Sequence, residues 1–351
     1  MMGKLKKLTG YRLFLPLSCL IIVLLITLIT TPTFFKITIN NGVLYGYIID
    51  VINRASELVV LAVGMTLVVS ASAGTDISVG AVMAVSAAVC TRVLAGGEVS
   101  VNEYANPYIL AVLAALAVAV VCGGFNGFLV AKLKIQPMVA TLILFTAGRG
   151  ISQLVTNGQI TYIRVDGYKL LGNNIPGIPI PTPIFVAVIV VALTYILLNK
   201  TAMGMYIQSV GINERASRLV GLKSVKIIWM AYAFCGLCAG IAGLVASSRI
   251  YSADANNIGL NMELDAIAAV ALGGNSLGGG RFSLLGSVIG AYTIQALTTT
   301  LYAMSVPADQ IPVYKAIVVI LIVAVQSEEL KKFRKRLASR HASGNVEGGV
   351  A

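Results

Sequence analysis

Residues 269–291 read AVALGGNSLGGGRFSLLGSVIGA. A run of small and apolar residues breaks into glycines at 273–281 and then resumes. Two biochemical readings of the break compete with a structural one. Gly274-Asn-Ser276-Leu-Gly278 matches G-x-S-x-G, the turn that presents a nucleophilic serine, and Gly273 and Gly278 enclose four residues as the glycines of a phosphate loop do. The structural reading is a glycine turn between two membrane helices, where the missing side chains permit a sharp bend and close helix approach.

Composition favours the last. Of 351 residues, 57% are hydrophobic and 11% charged, where a soluble domain carries roughly 25% charged residues, and the mean hydropathy is +0.88. The chain reads as an all-α polytopic membrane protein, one transmembrane unit over 1–351. The net charge of +12 would point to nucleic acid in a soluble protein; here it reads as Lys and Arg retained in cytoplasmic loops, and no nucleic-acid partner is expected.

Apolar runs near the ~20 residues that cross a bilayer number about ten. They lie at 13–31, 58–73, 77–95, 108–131, 135–155, 183–199, 227–250, 264–280, 282–304 and 313–326. The first follows the basic stretch MMGKLKKLTGYR, is longer than a signal-peptide core, and reads as a retained span. With the N-terminus inside, cytoplasmic segments hold 18 of the 26 Lys and Arg and outside segments four, with Arg92, Arg149, Arg249 and Lys315 within or at the ends of spans. That bias predicts N-in and C-in. Cys235-Gly-Leu-Cys238 matches C-x-x-C, but inside an apolar helix it reads as small-residue packing rather than a redox motif.

A serine nucleophile needs an activating base within reach. The one histidine, His341, lies in the polar C-terminal tail at 327–351, and Lys315 is expected at the far end of its span from Ser276. The residues before Ser276 read as helix, where the elbow requires a strand. The phosphate loop fails as well, since its glycines lead into Gly280-Arg281-Phe282 rather than Gly-Lys-Ser/Thr. The glycine turn remains. A similar unit, SASAGTDISVGAVMAVSA, occupies 70–87, and the pair points to an internal inverted repeat of the kind transporters carry.

The longest internal loop spans 200–226. Within it Asn213 to Val220 predicts a short helix, with Asn213 as N-cap, Glu214 in the first turn and Gly221 as terminator. Ala216 and Leu219 would share one face, Arg215 and Arg218 another. Such a helix suits either the docking of a partner or attraction to headgroups.

Four motifs now carry a resemblance. They are Gly64-Met-Thr-Leu with Gly74-Thr-Asp-Ile-Ser-Val-Gly80; Lys134-Ile-Gln-Pro-Met-Val-Ala-Thr-Leu142 with Ala147-Gly-Arg-Gly150; Val210-Gly-Ile-Asn-Glu-Arg-Ala216 with Gly221 and Ala239-Gly-Ile-Ala-Gly243; and Glu263-Leu-Asp-Ala-Ile-Ala-Ala-Val270 with Gly273-Gly-Asn-Ser-Leu-Gly-Gly-Gly280. Together they resemble the permease subunits of monosaccharide ABC importers of the ribose/arabinose/galactose type, over nearly the whole chain. Leu44–Asn53, Gly158-Gln-Ile160, Ala253-Asp-Ala-Asn-Asn257 and Gly280-Arg-Phe-Ser-Leu-Leu285 resemble the galactofuranose members. Arg215 and Ser217 depart from the paired alanines of many relatives.

The resemblance implies a bacterial inner-membrane protein that is not itself an enzyme and holds no cofactor or metal. ATP and magnesium would sit on a partner ABC ATPase, a second permease would complete a homo- or heterodimer, and a periplasmic sugar-binding protein would deliver solute. It makes Gly211, Asn213, Glu214, Arg215, Ala216, Arg218 and Gly221 the ATPase-coupling segment. Candidate pathway or gate residues are Asp76, Asn126, Arg149, Gln153, Asp265, Asn275, Ser276 and Gly278, because charge and amide groups at membrane depth are costly and functional by default. Asp76 also reads as a helix cap, and Arg149 as either the partner of a carboxylate or the lining of a wet cavity. Permeases for an autoinducer, nucleoside or branched-chain amino acid, and an ion-coupled transporter, are the alternatives.

Overall fold

The computed structural model describes residues 13–40 and 42–326. Twelve α-helices run in order: α1 Phe14–Thr30, α2 Tyr47–Ser72, α3 Val79–Ala95, α4 Tyr108–Ala131, α5 Pro137–Val155, α6 Thr182–Lys200, α7 Met203–Ile212, α8 Glu214–Leu219, α9 Ser224–Ile250, α10 Met262–Leu272, α11 Leu284–Ala303 and α12 Ile311–Gln326. Among the described residues six (α2, α4, α5, α6, α9 and α11) are long and apolar enough to cross a membrane, and α1, α3 and α12 are shorter apolar helices. The tail at 327–351, with His341, lies outside the described residues.

The centre is built from α2 and α9, which pack antiparallel. Ser72 meets Tyr232 (3.2 Å), Gly64 lies against Cys235 and Cys238, and Arg249 reaches Glu57 (3.1 Å). Both cysteines are buried free thiols, so Cys235-Gly-Leu-Cys238 is packing, as its apolar context predicts. On its other side α9 meets α4 through a seam of small residues; a Cβ on Gly123 would lie 2.4 Å from the Tyr232 carbonyl oxygen. Such close approach gives apolar helices in lipid their mutual attraction, because burial from water contributes little there.

Two short helices start inside the bundle rather than at its ends. After α2, residues 73–78 are not helical and run alongside the first turns of α5. Gly74 sits on Pro137, Ile77 N–H donates to Thr141 Oγ1 (3.2 Å), and Ala81 touches Gly148. Pro137 to Gly148 is about 16 Å of helix at 1.5 Å per residue, so α3 begins that far in. From the opposite end the loop after α9, residues 251–261, reaches the same level. A Cβ on Gly80 would lie 2.2 Å from the Gly259 carbonyl oxygen. From this meeting point α3 runs toward one end and α10 toward the other.

These features correct the sequence reading in four places. The predicted span 264–280 is a helix of only 11 residues, about 16 Å long, followed by the glycine turn. The span expected at 58–73 begins at Tyr47, because Glu57 pairs with Arg249 and is accommodated within the helix. The repeated unit, a long helix, an inward-running segment and a short helix, is α2–α3 and α9–α10, running in opposite directions. The counterpart of 73–78 is thus 251–261, not the glycine turn at 273–281. Finally, the all-α expectation overlooks five short strands. β1 Thr38–Asn40 pairs antiparallel with β2 Val43–Tyr45, while β4 Thr161–Ile163 pairs parallel with β3 Ser100–Val101 and antiparallel with β5 Ser252–Ala253. Strands of two or three residues are too short to display alternation in sequence.

The Gly80–Gly259 contact leaves no room for a methyl group against backbone. Gly80→Val is expected to destabilise the folded chain by about 3 kcal/mol, read as a lower thermal-unfolding midpoint in detergent. Gly150→Ala serves as control, since nothing lies within 4 Å of its added Cβ. Equal midpoints for the two variants would contradict the contact.

Candidate functional site

One end of the bundle gathers α8, the α4–α5 loop and the glycine turn. Asn213 caps α8 as predicted, its Oδ1 accepting Ala216 N–H (3.0 Å), and Gly221 ends it at φ +87°. Glu214 is the anchor. One of its carboxylate oxygens accepts from Lys134 (2.5 Å), Arg218 (2.5 Å) and Ser224 Oγ (3.1 Å). Arg215 and Ala216 are exposed, and Leu219 and Val220 project with 89% and 78% of their surface free. Before α8 comes α7, whose Gly211 packs so closely on the Ser70 carbonyl and Gly280 that only glycine fits. The sequence assigns the stretch containing α7 to the loop 200–226, whereas Met203–Ile212 is helical.

The glycine turn faces this same end. Gly280 N–H donates to Ser70 O (3.0 Å), tying the turn to the end of α2. Asn275 holds it in shape: its Nδ2 donates to Val270 O (3.0 Å) and Ser287 Oγ (2.8 Å), and its Oδ1 accepts Ser283 N–H (2.5 Å). Ser276 Oγ accepts Gly278 N–H (3.2 Å), a local turn bond. It follows helix α10, not a strand, and among the described residues Lys315 is paired with Asp265 instead. Close packing expected at Gly278 belongs to its neighbours. Gly278 itself meets only Ser276 Oγ at 3.5 Å, whereas Gly279 (φ +85°) presses on Ala73 and Gly211.

Deeper in the bundle the predicted polar residues divide into two groups. Asp76 Oδ1 accepts Ser78 N–H (2.9 Å) and Ser78 Oγ–H (2.6 Å); Asn126 Nδ2 donates to Ser78 Oγ (2.8 Å) and approaches Asp76 (3.5 Å). Asp76 therefore accepts backbone N–H as expected, but in a turn three residues ahead of a helix that starts at Val79. Arg149 is half-buried, and the Glu263 and Asp254 carboxylates attract its charge. It donates to the carbonyls of Ala255 (2.9 Å) and Ile258 (2.5 Å), and Gln153, one turn on, donates to Asn256 Oδ1 (2.7 Å). Asp254 completes this loop by accepting Asn256 and Asn257 N–H. Together Arg149 and Gln153 hold the 251–261 segment against α5. Both carbonyls accept from the same guanidinium nitrogen, Nη1.

Asp265 lies apart from these. Both its oxygens accept from Lys315 of α12 (2.8 and 2.7 Å), beside a cavity of about 480 Å³ between α10, α11 and α12.

The chain matches, over residues 47–326, the family described as branched-chain amino acid transport system / permease component. It belongs to this permease family. It is 43% identical over 327 residues to the galactofuranose transporter permease protein YtfT of Escherichia coli (strain K12), covering 92% of each chain. It is 37% identical to the fructose import permease protein FruF of Bifidobacterium longum (strain NCC 2705), covering 96% of this chain and 94% of the relative. To the ribose import permease protein RbsC of Escherichia coli (strain K12) it is 35% identical, covering 89% and 93%. The permease is accordingly a transport component, not an enzyme.

Several polar residues of the permease escaped sequence reading. Glu57 and Arg249 form an ion pair inside the bundle, Glu263 points a buried oxygen at Gly80 without a hydrogen-bond partner, and Tyr168 binds Ser247 (2.7 Å). Glu57 and Arg249 carried a signal, charges close to apolar runs, but their pairing across 192 positions is not visible without the fold.

Burial pushes the Glu214 carboxyl up, and the bonds from Lys134, Arg218 and Ser224 outweigh it, leaving it below the ordinary 4.5. A depressed carboxyl stabilises at pH above the ordinary value, and that contribution is lost as pH falls through the lowered one. A nitroxide at position 219 is therefore expected to stay restrained from about pH 8 to pH 5 and to loosen only below the ordinary carboxylate range, where exposed carboxyls have already begun to protonate. Glu214→Gln is expected to be loose throughout. Loosening of the unaltered permease between pH 8 and 6 would contradict the anchor.

Proposed function

We propose that the chain is the transmembrane permease of an ATP-driven bacterial importer for a monosaccharide. The single observation that carries this is the joint likeness, over nine-tenths of the chain, to permeases named for galactofuranose, fructose and ribose. Galactofuranose is the favoured solute among these, because that relative is 43% identical. The chain would sit in the inner membrane as one unit of about ten spans with both termini cytoplasmic. The concentration of Lys and Arg in the segments assigned inside supports that orientation. It would act with a second permease and a periplasmic binding protein, while ATP and magnesium stay on the partner ATPase.

In this reading α8, within the segment 200–226, is the coupling element. Its free apolar tip, Leu219 and Val220, would enter a groove on the ATPase, and Glu214 would hold the helix to Lys134 and so to the start of α5. The family description favours one second reading, a branched-chain amino acid as solute.

Proteoliposomes containing the permease with its ATPase and binding protein are expected to take up the monosaccharide only with ATP inside the nucleotide-binding compartment. Leu219→Asp combined with Val220→Asp is expected to cut both ATPase co-purification and uptake more than tenfold, with an unchanged melting profile. ATP-independent uptake, or a double variant that binds and drives the ATPase normally, would contradict the proposal; uptake of leucine in place of sugar would select the second reading.

A further inference from the structure

The cavity between α10, α11 and α12 differs from the one between α2, α6 and α11. The latter, about 550 Å³, is lined by Val, Ala, Leu, Ile and two tyrosines without a charged side chain. The α10–α12 cavity contains a complete ion pair. Asp265 and Lys315 keep 20% and 16% of their side-chain surface free, and Asn261, Thr298 and Tyr302 share the lining. Asn261 makes no capping bond to α10 with its side chain, and Tyr302 is 55% exposed. Ala308 and Ile311 put the mouth where α11 gives way to α12, at the end of the bundle away from α8.

A charge pair with a free face is costly against hydrocarbon, so it requires water or a polar occupant. The chemistry of the lining narrows the occupant. A carboxylate accepts two hydroxyl donors, an ammonium and an amide donate to hydroxyl oxygens, and a phenol ring offers an apolar face to C–H groups. Because the two charges cancel, the cavity selects a neutral solute over an anion or a cation. At about 480 Å³ it falls within the usual range of small-molecule sites.

We infer that the groove between α10, α11 and α12 is a contact site for a neutral polyhydroxylated solute on its way through the permease, with Asp265 and Lys315 as its polar pair and Tyr302 as its aromatic wall. The inference rests on the importer reading above and places the solute in the half of the bundle remote from α8. Arg149 and Gln153 serve the site indirectly, since they hold the loop that ends at Asn261.

The test uses cells carrying the whole transporter and radiolabelled ribose, fructose and galactose, the last equilibrated so that its furanose form is present. Asp265→Asn is expected to lower uptake about tenfold, the loss of one charged hydrogen-bonding group, with normal amounts of assembled transporter. The reversed pair, D265K with K315D, keeps the ion pair but exchanges its ends, and is expected to assemble yet leave uptake low. Thr298→Cys is expected to react with a membrane-impermeant thiol reagent and to be protected by the transported sugar. Restored uptake in the reversed pair would make Asp265 and Lys315 a structural bridge and overturn the inference. So would a Thr298→Cys that fails to label in the assembled transporter, where a second permease or lipid then fills the groove. If the unaltered transporter imports none of the three sugars, the importer reading falls together with this inference; if it imports one and the reversed pair imports it equally, only the inference falls.

Discussion

The structure depends on one constraint: backbone that leaves regular helix inside an apolar bundle must have its polar groups satisfied by protein. Two segments do this, 73–78 from one end and 251–261 from the other, and they meet where Gly80 packs on Gly259. Glycine at both positions lets the chains touch through backbone. The carbonyls of Ala255 and Ile258, which would otherwise be orphaned, accept from Arg149. Asp76 and Asn126 perform the corresponding service on the other segment through Ser78. An arginine within a span is thereby stabilised by carbonyl dipoles together with the Glu263 and Asp254 carboxylates.

From this meeting point the rest of the architecture follows. The short helices α3 and α10 extend to opposite ends, and each is preceded by one of the two long central helices, α2 and α9. The far end of α10 continues into the glycine turn, which bonds to Ser70 at the end of α2. Gly211 closes on the same carbonyl, bringing α7 and then α8 to that surface. Through Lys134 the α8 anchor reaches the start of α5, the helix that carries Arg149. Continuous contacts thus join α8 through α5 to the segment 251–261.

Much of this was legible in the sequence. The ends of α4, α6 and α9 fall within about three residues of the apolar runs, because such runs must match the thickness they cross. Asn213 and Gly221 announced α8 through ordinary capping chemistry, and the lack of a base near Ser276 disposed of the hydrolase reading before any coordinates. The illegible parts share a cause. Residues 264–280 are apolar enough to suggest a span despite Asp265 and Asn275, and only the contact of Gly259 and Glu263 with Gly80 shows that the helix begins inside the bundle. Glu57 looked too polar to be inside until Arg249 was found beside it. Tertiary partners distant in sequence set these features, and a hydropathy profile contains no information about them.

The central claim is that residues 254–260 are ordered backbone held within the bundle by Arg149. Hydrogen–deuterium exchange of the purified permease in detergent tests it directly. The amides of Asn256, Asn257 and Ile258, bonded to Asp254, are expected to exchange at least a hundredfold more slowly than those of the 174–178 loop, and to lose that protection in Arg149→Ala. Exchange of 254–260 as fast as the surface loop in the unaltered permease would contradict the account.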